Sequence, residues 1–424
     1  MDKNTIATPV HKKIFPPYTP GASMIGEEEL KELQDVIREK SPFRHYGLGN
    51  PCKVAEFEQY VREYLGTGYA LAVSSGTAAL LCAVTALGIG PGDEVILPAF
   101  TWFSDYSCIV NAGAVPVFAD IDESLNLSPE DMKRKITRRT RAVIVVHYQG
   151  GPAKIEEIIS IAKQHDIKVI EDCAQAFGGT YRRRKLGTFG DIGITSFQNN
   201  KMITCGEGGL LYTDNEEYYA RAVRYHDLGS VRDTFKACIR NKSLADQSEA
   251  FAGLQFRMSE LQGAVILAQA RKLEYILGRC RKSHGRIREH FKGNACFDIR
   301  LVDEGDCGIT FFMRFKTAGE AKNVKIRLME QGLPVSASSA CCNILEHYPV
   351  KTSKMAFDRM PPFGKGYAGY DRVYDSKMDC LNANDILNRY VAIPIGPLYT
   401  EEDIDSIIKG IEKAIEIVLD SKTE

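Results

Sequence analysis

Several signatures of common protein classes are missing from this chain of 424 residues. It carries 54 basic against 55 acidic residues, so it lacks the global basic field that attracts nucleic acid. It contains neither the Gly-x-Gly-x-x-Gly pattern of dinucleotide-binding folds nor the Gly-x-x-x-x-Gly-Lys-Ser/Thr pattern of phosphate-binding loops. Hydrophobic residues, at 44%, supply ample material for a core and exclude disorder as the main state.

Cysteine spacing gives no support for a metal or disulfide framework. None of the 12 cysteines forms a Cys-x-x-Cys pair, and Cys82, Cys108 and Cys173 lie inside apolar runs. Free cysteine packs as a small hydrophobe, so we expect reduced core thiols and no metal site. The N-terminal residues contain no apolar segment typical of a secretory signal, and a cytoplasmic location is therefore expected.

One uncharged stretch, residues 66–92, is long enough to span a bilayer. It is interrupted by Ser74-Ser75-Gly76-Thr77, which divides it into a short strand and an Ala/Leu-rich helix. Such breakers and hydroxyls favour a strand, a turn and a helix inside a globular core. We therefore expect no membrane association.

Short apolar runs alternate with amphipathic segments through the first two thirds of the chain. The runs are EVILP (94–98), VPVFAD (115–120), AVIVVH (142–147), KVIED (168–172), IGITSF (192–197) and GGLLYT (208–213). This alternation predicts an α/β fold with a mainly parallel sheet sandwiched by helices.

The remainder of the chain predicts a second, smaller unit. A long helix is expected at about 258–291, followed by strand candidates GITFFMRF and YVAIPI and a closing amphipathic helix. Thr400 and Asp403 have nearly the spacing of a capping box at the start of that last helix. We predict an N-terminal arm (1–25), a large domain (26–270) and a small α/β C-terminal domain (271–424).

Open α/β sheets bind ligands beyond the carboxyl ends of their strands, and chemically useful residues follow several of these strands. Ser75, Gly76 and Thr77 open a predicted helix, where free N–H groups and hydroxyls bind phosphate or act as an ordinary cap. Asp172 ends a buried strand and is either a ligand partner or a structural ion pair. Lys201 precedes a glycine-rich turn, where a partly desolvated lysine can form a Schiff base.

These features together match the needs of one cofactor, pyridoxal 5′-phosphate. It requires a helix N-terminus for its phosphate, a lysine for its aldehyde, a carboxylate for its ring nitrogen and a face on which to stack. Trp102, which is the one tryptophan of the chain, supplies an aromatic candidate for stacking. The four elements occur in the order phosphate cup, aromatic, Asp172 and Lys201.

The chain resembles the DegT/StrS family of fold-type-I, pyridoxal-phosphate-dependent sugar aminotransferases over nearly its whole length. The motifs that carry the resemblance are SSGTAAL (74–80), GDEVILPAFTW (92–102), AGAVPVFADID (112–122), VIEDCAQAFGG (169–179), GDIGITSFQNNKMITCGEGG (190–209) and FRMSELQGAVILAQ (256–269).

The resemblance assigns roles to matching residues. Lys201 would hold pyridoxal phosphate as a Schiff base and then transfer protons, and Asp172 would keep the pyridine nitrogen protonated. Gln175 would lie near the ring hydroxyl, and Trp102 would stack on the ring. The phosphate would be bound by the remaining matched residues, Ser75, Gly76, Thr77 and Ser196.

The chain departs from the family at one position before the aromatic-Arg-Met run. Many relatives carry Asn where this chain has Gln255, and that Asn reaches the phosphate of the partner subunit's cofactor. Gln keeps the amide donor on a longer stem. Arg257, in the run itself, would meet either the phosphate or an acidic neighbour. The family also implies a homodimer with shared active sites.

Five further residues are candidates for substrate contact, although each is as well explained by a structural role: His147, Tyr148, His226, Arg44 and Tyr46. The Cys341-Cys342 region, which differs among subfamilies, has no assigned role. The implied reaction moves an amino group from L-glutamate or L-glutamine to a keto- or aldehyde-sugar or a keto-cyclitol through the pyridoxamine form of the cofactor.

The resemblance also leaves other functions open. An oxidised octulosonate-type sugar acid could be the acceptor, and an aminohydroxybenzoate-type synthase would keep Lys201. Dehydratases of this fold replace the lysine with His or bind an iron–sulfur cluster, and neither feature fits this sequence. A non-catalytic, pyridoxal-phosphate-binding regulator would normally carry a DNA-binding module, which the sequence does not indicate.

Overall fold

The computed structural model describes residues 13–301, 305–336, 343–369, 372–376 and 379–420. Within them the helices are α1 (Glu27–Arg38), α2 (Lys53–Leu65), α3 (Gly76–Ala86), α4 (Phe103–Asn111), α5 (Pro129–Lys135), α6 (Ile155–Gln164), α7 (Glu216–His226), α8 (Asp233–Cys238), α9 (Glu260–His290), α10 (Ala318–Glu330), α11 (Tyr348–Lys351), α12 (Leu381–Asn388) and α13 (Glu401–Asp420).

The strands of the same residues are β1 (Tyr69–Val73), β2 (Glu94–Pro98), β3 (Val115–Ala119), β4 (Thr140–Val146), β5 (Lys168–Asp172), β6 (Thr180–Tyr181), β7 (Arg184–Lys185), β8 (Ile192–Ser196), β9 (Gly209–Thr213), β10 (Asp298–Ile299), β11 (Thr310–Arg314) and β12 (Tyr390–Pro394). Every apolar run that predicted a strand forms one.

The main sheet of the described residues has seven strands in the order β1-β9-β8-β5-β4-β2-β3. The pairs among β8, β5, β4, β2 and β3 are parallel, whereas β9 is antiparallel to both β8 and β1. Because β9 is antiparallel to both of its neighbours, β1 runs in the same direction as β8. The carboxyl ends of β1, β2, β4, β5 and β8 therefore lie along one edge of the sheet.

Helices cover both faces of this sheet, as an α/β fold requires. Alternation along each strand divides its side chains between two cores: Leu71 and Val73 of β1 pack with α3, α4 and α7, while Ala70 and Ala72 pack with α2 and α9. The predicted α/β architecture with a mainly parallel sheet sandwiched by helices is confirmed.

A smaller antiparallel sheet, β10-β11-β12, forms a separate core with α10 and α13. Helix α9 connects the two parts of the chain, and the hydroxyl of Ser259 caps it by accepting from the N–H of Gln262 at 3.3 Å. At the start of α13, Asp403 N–H donates to Thr400 Oγ1 at 3.2 Å, while Thr400 N–H donates to the Asp403 carboxylate at 2.9 Å. The boundaries of the arm and of the two domains stay a prediction.

The described part of the N-terminal arm lies against both units. Lys13 forms an ion pair with Asp403 at 2.9 Å, and Phe15 packs on Tyr399 with ring centroids 5.9 Å apart. Further along, the N–H of Gly21 donates to the carbonyl of Lys201 at 3.1 Å. The arm thus connects the C-terminal helix to the loop that carries the candidate lysine.

Candidate functional site

The first element of the site is the N-terminus of α3. Ser75 caps this helix by accepting from the N–H of Ala78 at 3.0 Å, and Thr77 Oγ1 lies 2.8 Å from Ser104 Oγ. A Cβ on Gly76 would lie 2.7 Å from the Cβ of Ser196, so this position has room for glycine alone. Strand β8 therefore delivers Ser196 directly against the start of α3.

This helix start has the donors that an anion needs. The N–H groups of Gly76 and Thr77 find no acceptor among the described residues, as expected for the first turn of a helix. Free N–H groups and the positive end of the helix dipole favour a bound phosphate, and Ser196 and Thr77 add hydroxyls. The arrangement fits a phosphate cup built from residues predicted for that role.

Asp172 ends β5 at the same edge of the sheet and is 6% exposed. One of its carboxylate oxygens accepts from the N–H of Ala174 at 2.7 Å. Burial raises the pKa of Asp172, while the Ala174 N–H and the charge of Lys201 act in the opposite direction. A buried carboxylate at the end of a strand is suited to pair with a cationic ring nitrogen.

Lys201 lies in the loop that follows β8 and is half-buried. The loop is fixed by its own hydrogen bonds, since Thr204 Oγ1 donates to the carbonyl of Phe197 and accepts from the N–H of Gly206, both at 2.9 Å. Because β5 and β8 are parallel neighbours, the loop that follows β8 begins at the same edge of the sheet as Asp172, the last residue of β5. The structure therefore brings the candidate lysine and the candidate carboxylate into one site.

Asp105, on the first turn of α4, was not predicted as a site residue. It is fully buried and accepts a hydrogen bond from Thr101 Oγ1. Burial, followed by the negative charge of Asp172, raises the pKa of Asp105 well above its ordinary value. Its place in the PAFTW-FSD segment puts it close to Trp102 in the sequence, but the segment does not show that the charge of Asp172 acts on it.

Two other predicted cofactor residues lie at the rim. Trp102 precedes α4 and is 52% exposed, so its ring is available for stacking. Gln175 follows Asp172 and accepts from the N–H of Gln149 at 3.2 Å. The structure thus places Trp102 after β2, Asp172 and Gln175 after β5, and the Lys201 loop after β8.

His147 and Tyr148, predicted as substrate candidates, are held in the core. The Nδ1 of His147 accepts from the N–H of Ala153 at 3.0 Å, so its proton lies on Nε2, which donates to Glu171 at 3.0 Å. His147 is fully buried, and the ring of Tyr148 packs 4.3 Å from that of Phe100. With both nitrogens of the histidine engaged, the geometry favours a structural role for this pair.

Arg44 and His226 are also internal. Arg44 pairs with Glu58 through both nitrogens of its guanidinium end, and Glu58 accepts the N–H of Ala72, so the pair ties α2 to β1. His226 is fully buried, and burial lowers its pKa to about 3. Tyr46, by contrast, is 73% exposed and remains accessible to a substrate or to another subunit.

Gln255 and Arg257 lie on the extended segment before α9. The side chain of Arg257 binds Asp227, which also accepts from Arg232. Burial alone would raise the pKa of Asp227, but the hydrogen bonds from the two arginines overcome this effect and lower it. Of the two partners expected for Arg257, the single chain thus provides the acidic one, whereas Gln255 is exposed.

The residues present fit pyridoxal phosphate. The cup at Gly76 offers unpaired N–H donors, Asp172 offers a buried carboxylate, Lys201 offers an amine, and Trp102 offers an exposed aromatic face. Within the described ranges, no cluster of metal-ligating side chains and no helix long and apolar enough to cross a membrane is found. The Cys341-Cys342 pair lies outside the described residues.

Comparison with known proteins gives matches over nearly the whole chain. The model of the DegT/DnrJ/EryC1/StrS aminotransferase family matches residues 23–412. The chain is 31% identical over 410 residues to an uncharacterized protein of Methanocaldococcus jannaschii, MJ1066, with 96% of this chain and 99% of that protein covered. It is 30% identical over 405 residues to the spore coat polysaccharide biosynthesis protein SpsC of Bacillus subtilis, with 95% and 97% covered.

Solved structures agree with the fold. The 3-amino-5-hydroxybenzoic acid synthase superposes with a TM-score of 0.79 at 25% identity, covering 96% of this chain and 99% of that one. Helicobacter pylori PseC, an aminotransferase involved in the biosynthesis of pseudoaminic acid, superposes with a TM-score of 0.76 at 20% identity, covering 95% and 100%. The latter likeness supports the architecture alone.

Proposed function

Because the chain belongs to the DegT/DnrJ/EryC1/StrS aminotransferase family, whose enzymes depend on pyridoxal 5′-phosphate, we propose that it transfers an amino group from L-glutamate or L-glutamine to a keto- or aldehyde-sugar or a keto-cyclitol. The observation that carries this proposal is that Asp172, at the end of β5, and the Lys201 loop, after the neighbouring parallel strand β8, lie at the sheet edge where α3 begins. The expected product is an amino sugar or an aminocyclitol.

The proposed roles follow from position and chemistry. The N–H groups of Gly76 and Thr77, with the hydroxyls of Ser75, Thr77 and Ser196, bind the phosphate. Asp172 would keep a proton on the ring nitrogen, and the cofactor, when bound, would supply an electron-withdrawing ring. Lys201 would hold the aldehyde of the cofactor through its Nζ and, once released, would accept and donate protons at that atom. Trp102 and Gln175 orient the ring.

The sugar class of the acceptor is inferred from the names of the family and of a relative. The family is named for aminotransferases, and the B. subtilis relative is named for polysaccharide biosynthesis. The acceptor itself and the choice between glutamate and glutamine are part of the proposal. An octulosonate-type sugar acid belongs to the same acceptor class, and the homodimer and the cytoplasmic location stay predictions.

A synthase of the aminohydroxybenzoate type is the second candidate. It is favoured by the superposition with 3-amino-5-hydroxybenzoic acid synthase, at a TM-score of 0.79. Such an enzyme would use the same lysine and carboxylate but would aromatise its substrate. A new ultraviolet band from an aromatic product, in place of an amino sugar, would separate this activity from transamination.

The proposal is tested by following the absorbance of the purified, cofactor-loaded protein. L-Glutamate or L-glutamine should replace the band of the aldehyde form with that of the amine form and release one 2-oxo acid. Nucleotide-linked keto-sugars, keto-cyclitols and an oxidised octulosonate are then screened for the one that restores the first band. If the protein binds cofactor but neither donor changes its spectrum, the proposed transamination fails.

A further inference from the structure

The loop after β4 contains a residue in a conformation that side chains rarely adopt. Gln149 has a φ of 46° and a ψ of 49°, in the left-handed region where residues other than glycine are uncommon. Such a backbone is unfavourable and persists only where the surrounding contacts determine it. Strained residues of this kind cluster at functional sites, and Gln149 is hydrogen-bonded to Gln175, a residue predicted to contact the cofactor.

Hydrogen bonds from the smaller sheet hold Gln149 in this conformation. Thr310 Oγ1, at the start of β11, donates to Gln149 Oε1 at 3.0 Å. The guanidinium of Arg300, which follows β10, donates to the carbonyls of Tyr148 and Gln149 at 3.0 and 3.2 Å. Arg300 is 4% exposed and is fixed in turn by an ion pair with Asp306 at 3.0 Å. The strained loop is thus held by buried groups on the far side from β4.

The strained backbone determines which way the amide of Gln175 is turned. The N–H of Gln149 donates to Gln175 Oε1 at 3.2 Å. A backbone N–H and an amide NH2 group are both donors, so the oxygen of Gln175 must be the atom that faces Gln149. The NH2 group is then on the other branch of the amide, and it suits a partner that accepts. The ring oxygen of pyridoxal phosphate is an acceptor of this kind when it has lost its proton.

We propose that Gln149 is a positioning residue, whose N–H fixes the amide of Gln175 so that its NH2 group donates to the ring oxygen of the cofactor. Thr310 and Arg300 maintain this orientation from the smaller sheet. The inference rests on the proposed role of Gln175. A turned amide would present its oxygen to the ring oxygen, and two acceptors repel one another. The network therefore contributes to cofactor affinity through the ring oxygen in particular.

Thr310→Val and Thr310→Ser are a matched pair for testing this network on the full chain. Val has the shape of Thr without the hydroxyl that anchors Gln149, whereas Ser keeps the hydroxyl. Equilibrium dialysis should show the dissociation constant of pyridoxal phosphate rising about three- to tenfold in Thr310→Val, as expected when a hydrogen bond to a charged group is weakened. Thr310→Ser should stay near wild type. Equal constants for Thr310→Val and wild type would overturn the inference.

A cofactor analogue without the ring hydroxyl, 3-deoxypyridoxal 5′-phosphate, distinguishes positioning from a general loosening of the fold. The analogue keeps the phosphate, the aldehyde and the ring nitrogen. Thr310→Val and wild type should bind it equally, because the oxygen whose contact is weakened is absent. If Thr310→Val weakens the binding of both ligands by the same factor, Thr310 only supports the fold, and the inference is overturned.

Gln175→Ala separates a failure of this inference from a failure of the site. It should weaken the binding of pyridoxal phosphate but not that of the analogue. If it changes the two affinities by the same factor or changes neither, Gln175 does not contact the ring oxygen, and its proposed role and this inference fall together. If Gln175→Ala distinguishes the ligands and Thr310→Val does not, only the inference about Gln149 falls.

The proposed function has a separate test, because all of these measurements concern binding. Suppose that Thr310→Val and Gln175→Ala distinguish the two ligands as expected, while neither L-glutamate nor L-glutamine changes the absorbance of the loaded wild-type protein. The positioning by Gln149 would then stand, and the proposed transamination alone would be refuted.

Discussion

At the scale of single residues, the candidate chemistry depends on one amine, that of Lys201. Replacing it with Ala removes both the anchor for the cofactor and the group that moves protons, so turnover should fall by about a thousandfold or more. The phosphate cup remains, and the variant should still bind cofactor without a covalent bond. Lys163→Ala, at an exposed position of α6, is the control. Wild-type turnover in Lys201→Ala would refute the assignment.

A second residue-scale prediction concerns pH. His45 and His226 are buried, and burial is the first cause that lowers their pKa values, to about 4 and about 3. Since the unfolded histidines ionise near pH 6.5, stability is fully present above that pH and is lost as pH falls towards the folded values. Below pH 6.5, each of these histidines should lower the free energy of unfolding by about 1.4 kcal/mol for every unit by which the pH falls.

This pH dependence is measured by urea unfolding at pH 7.5 and pH 5.5 in wild type and in His45→Gln. The variant should lose less stability between the two pH values, because it has one fewer group that takes up a proton on unfolding. His165→Gln, on the surface after α6, is the control and should behave as wild type. Equal pH dependence in His45→Gln and wild type would contradict the prediction.

Sequence reasoning located those site residues that lie in short segments with a recognisable pattern, such as Ser75-Gly76-Thr77 before a helix and Asp172 at a strand end. It did not identify Asp105, because nothing local to that residue shows that it is buried where the charge of Asp172 acts on it. For His147 it left a structural role and a substrate contact equally open. The decisive fact, that Glu171 and Ala153 occupy both ring nitrogens, is tertiary.

At the scale of elements, the approach of β8 to the start of α3 determines the phosphate cup. The Cβ in Gly76→Ala would lie 2.7 Å from Ser196 Cβ, so either the helix start or Ser196 must shift. We expect weaker cofactor binding, by about tenfold or more, because one or two hydrogen bonds to a charged group are lost. Equilibrium dialysis against the cofactor measures this change in affinity.

The control for this prediction is Gly278→Ala in α9. A Cβ there meets nothing within 4 Å, and Ala is a better helix former than Gly by about 1 kcal/mol. This variant should bind cofactor as wild type does and should unfold at a higher temperature. Unchanged cofactor affinity in Gly76→Ala would show that the start of α3 does not hold the phosphate.

Elements of the fold were largely predictable, because strands of five to seven residues lie between amphipathic helices with clear caps. The direction of β9 was not indicated, since GGLLYT has the same composition whether it runs parallel or antiparallel to β8. That reversal matters for the site, because it leaves β1 pointing the same way as β8 and brings Ser75 to the common edge.

At the scale of the whole molecule, the expected homodimer with shared sites can be tested by mixing variants. Gln255 is exposed in the single chain, as a donor to the partner subunit's cofactor would be. We expect Gln255→Glu to lose activity, since a carboxylate would repel the phosphate. A hybrid of Gln255→Glu with Lys201→Ala should regain up to about a quarter of the activity, because one site then has both intact residues.

Two controls are needed to interpret the activity of the hybrid. Each variant alone, mixed with itself, should stay inactive, and sedimentation should give a mass of two chains for all samples. A stable, fully active monomer would rule out shared sites. Full activity of Gln255→Glu would show that the longer amide stem does not take the role that Asn has in many relatives.

The arm has a consequence for the order in which the molecule is assembled. Its residues leave the ribosome long before α13 is made, yet Lys13 and Phe15 lie against Asp403 and Tyr399. Such contacts cannot form until residues 399–403 have been synthesised. The backbone bond from Gly21 to Lys201 belongs to the same arm, so the segment that contacts the lysine loop is fixed at its other end only after the C-terminal unit has been made.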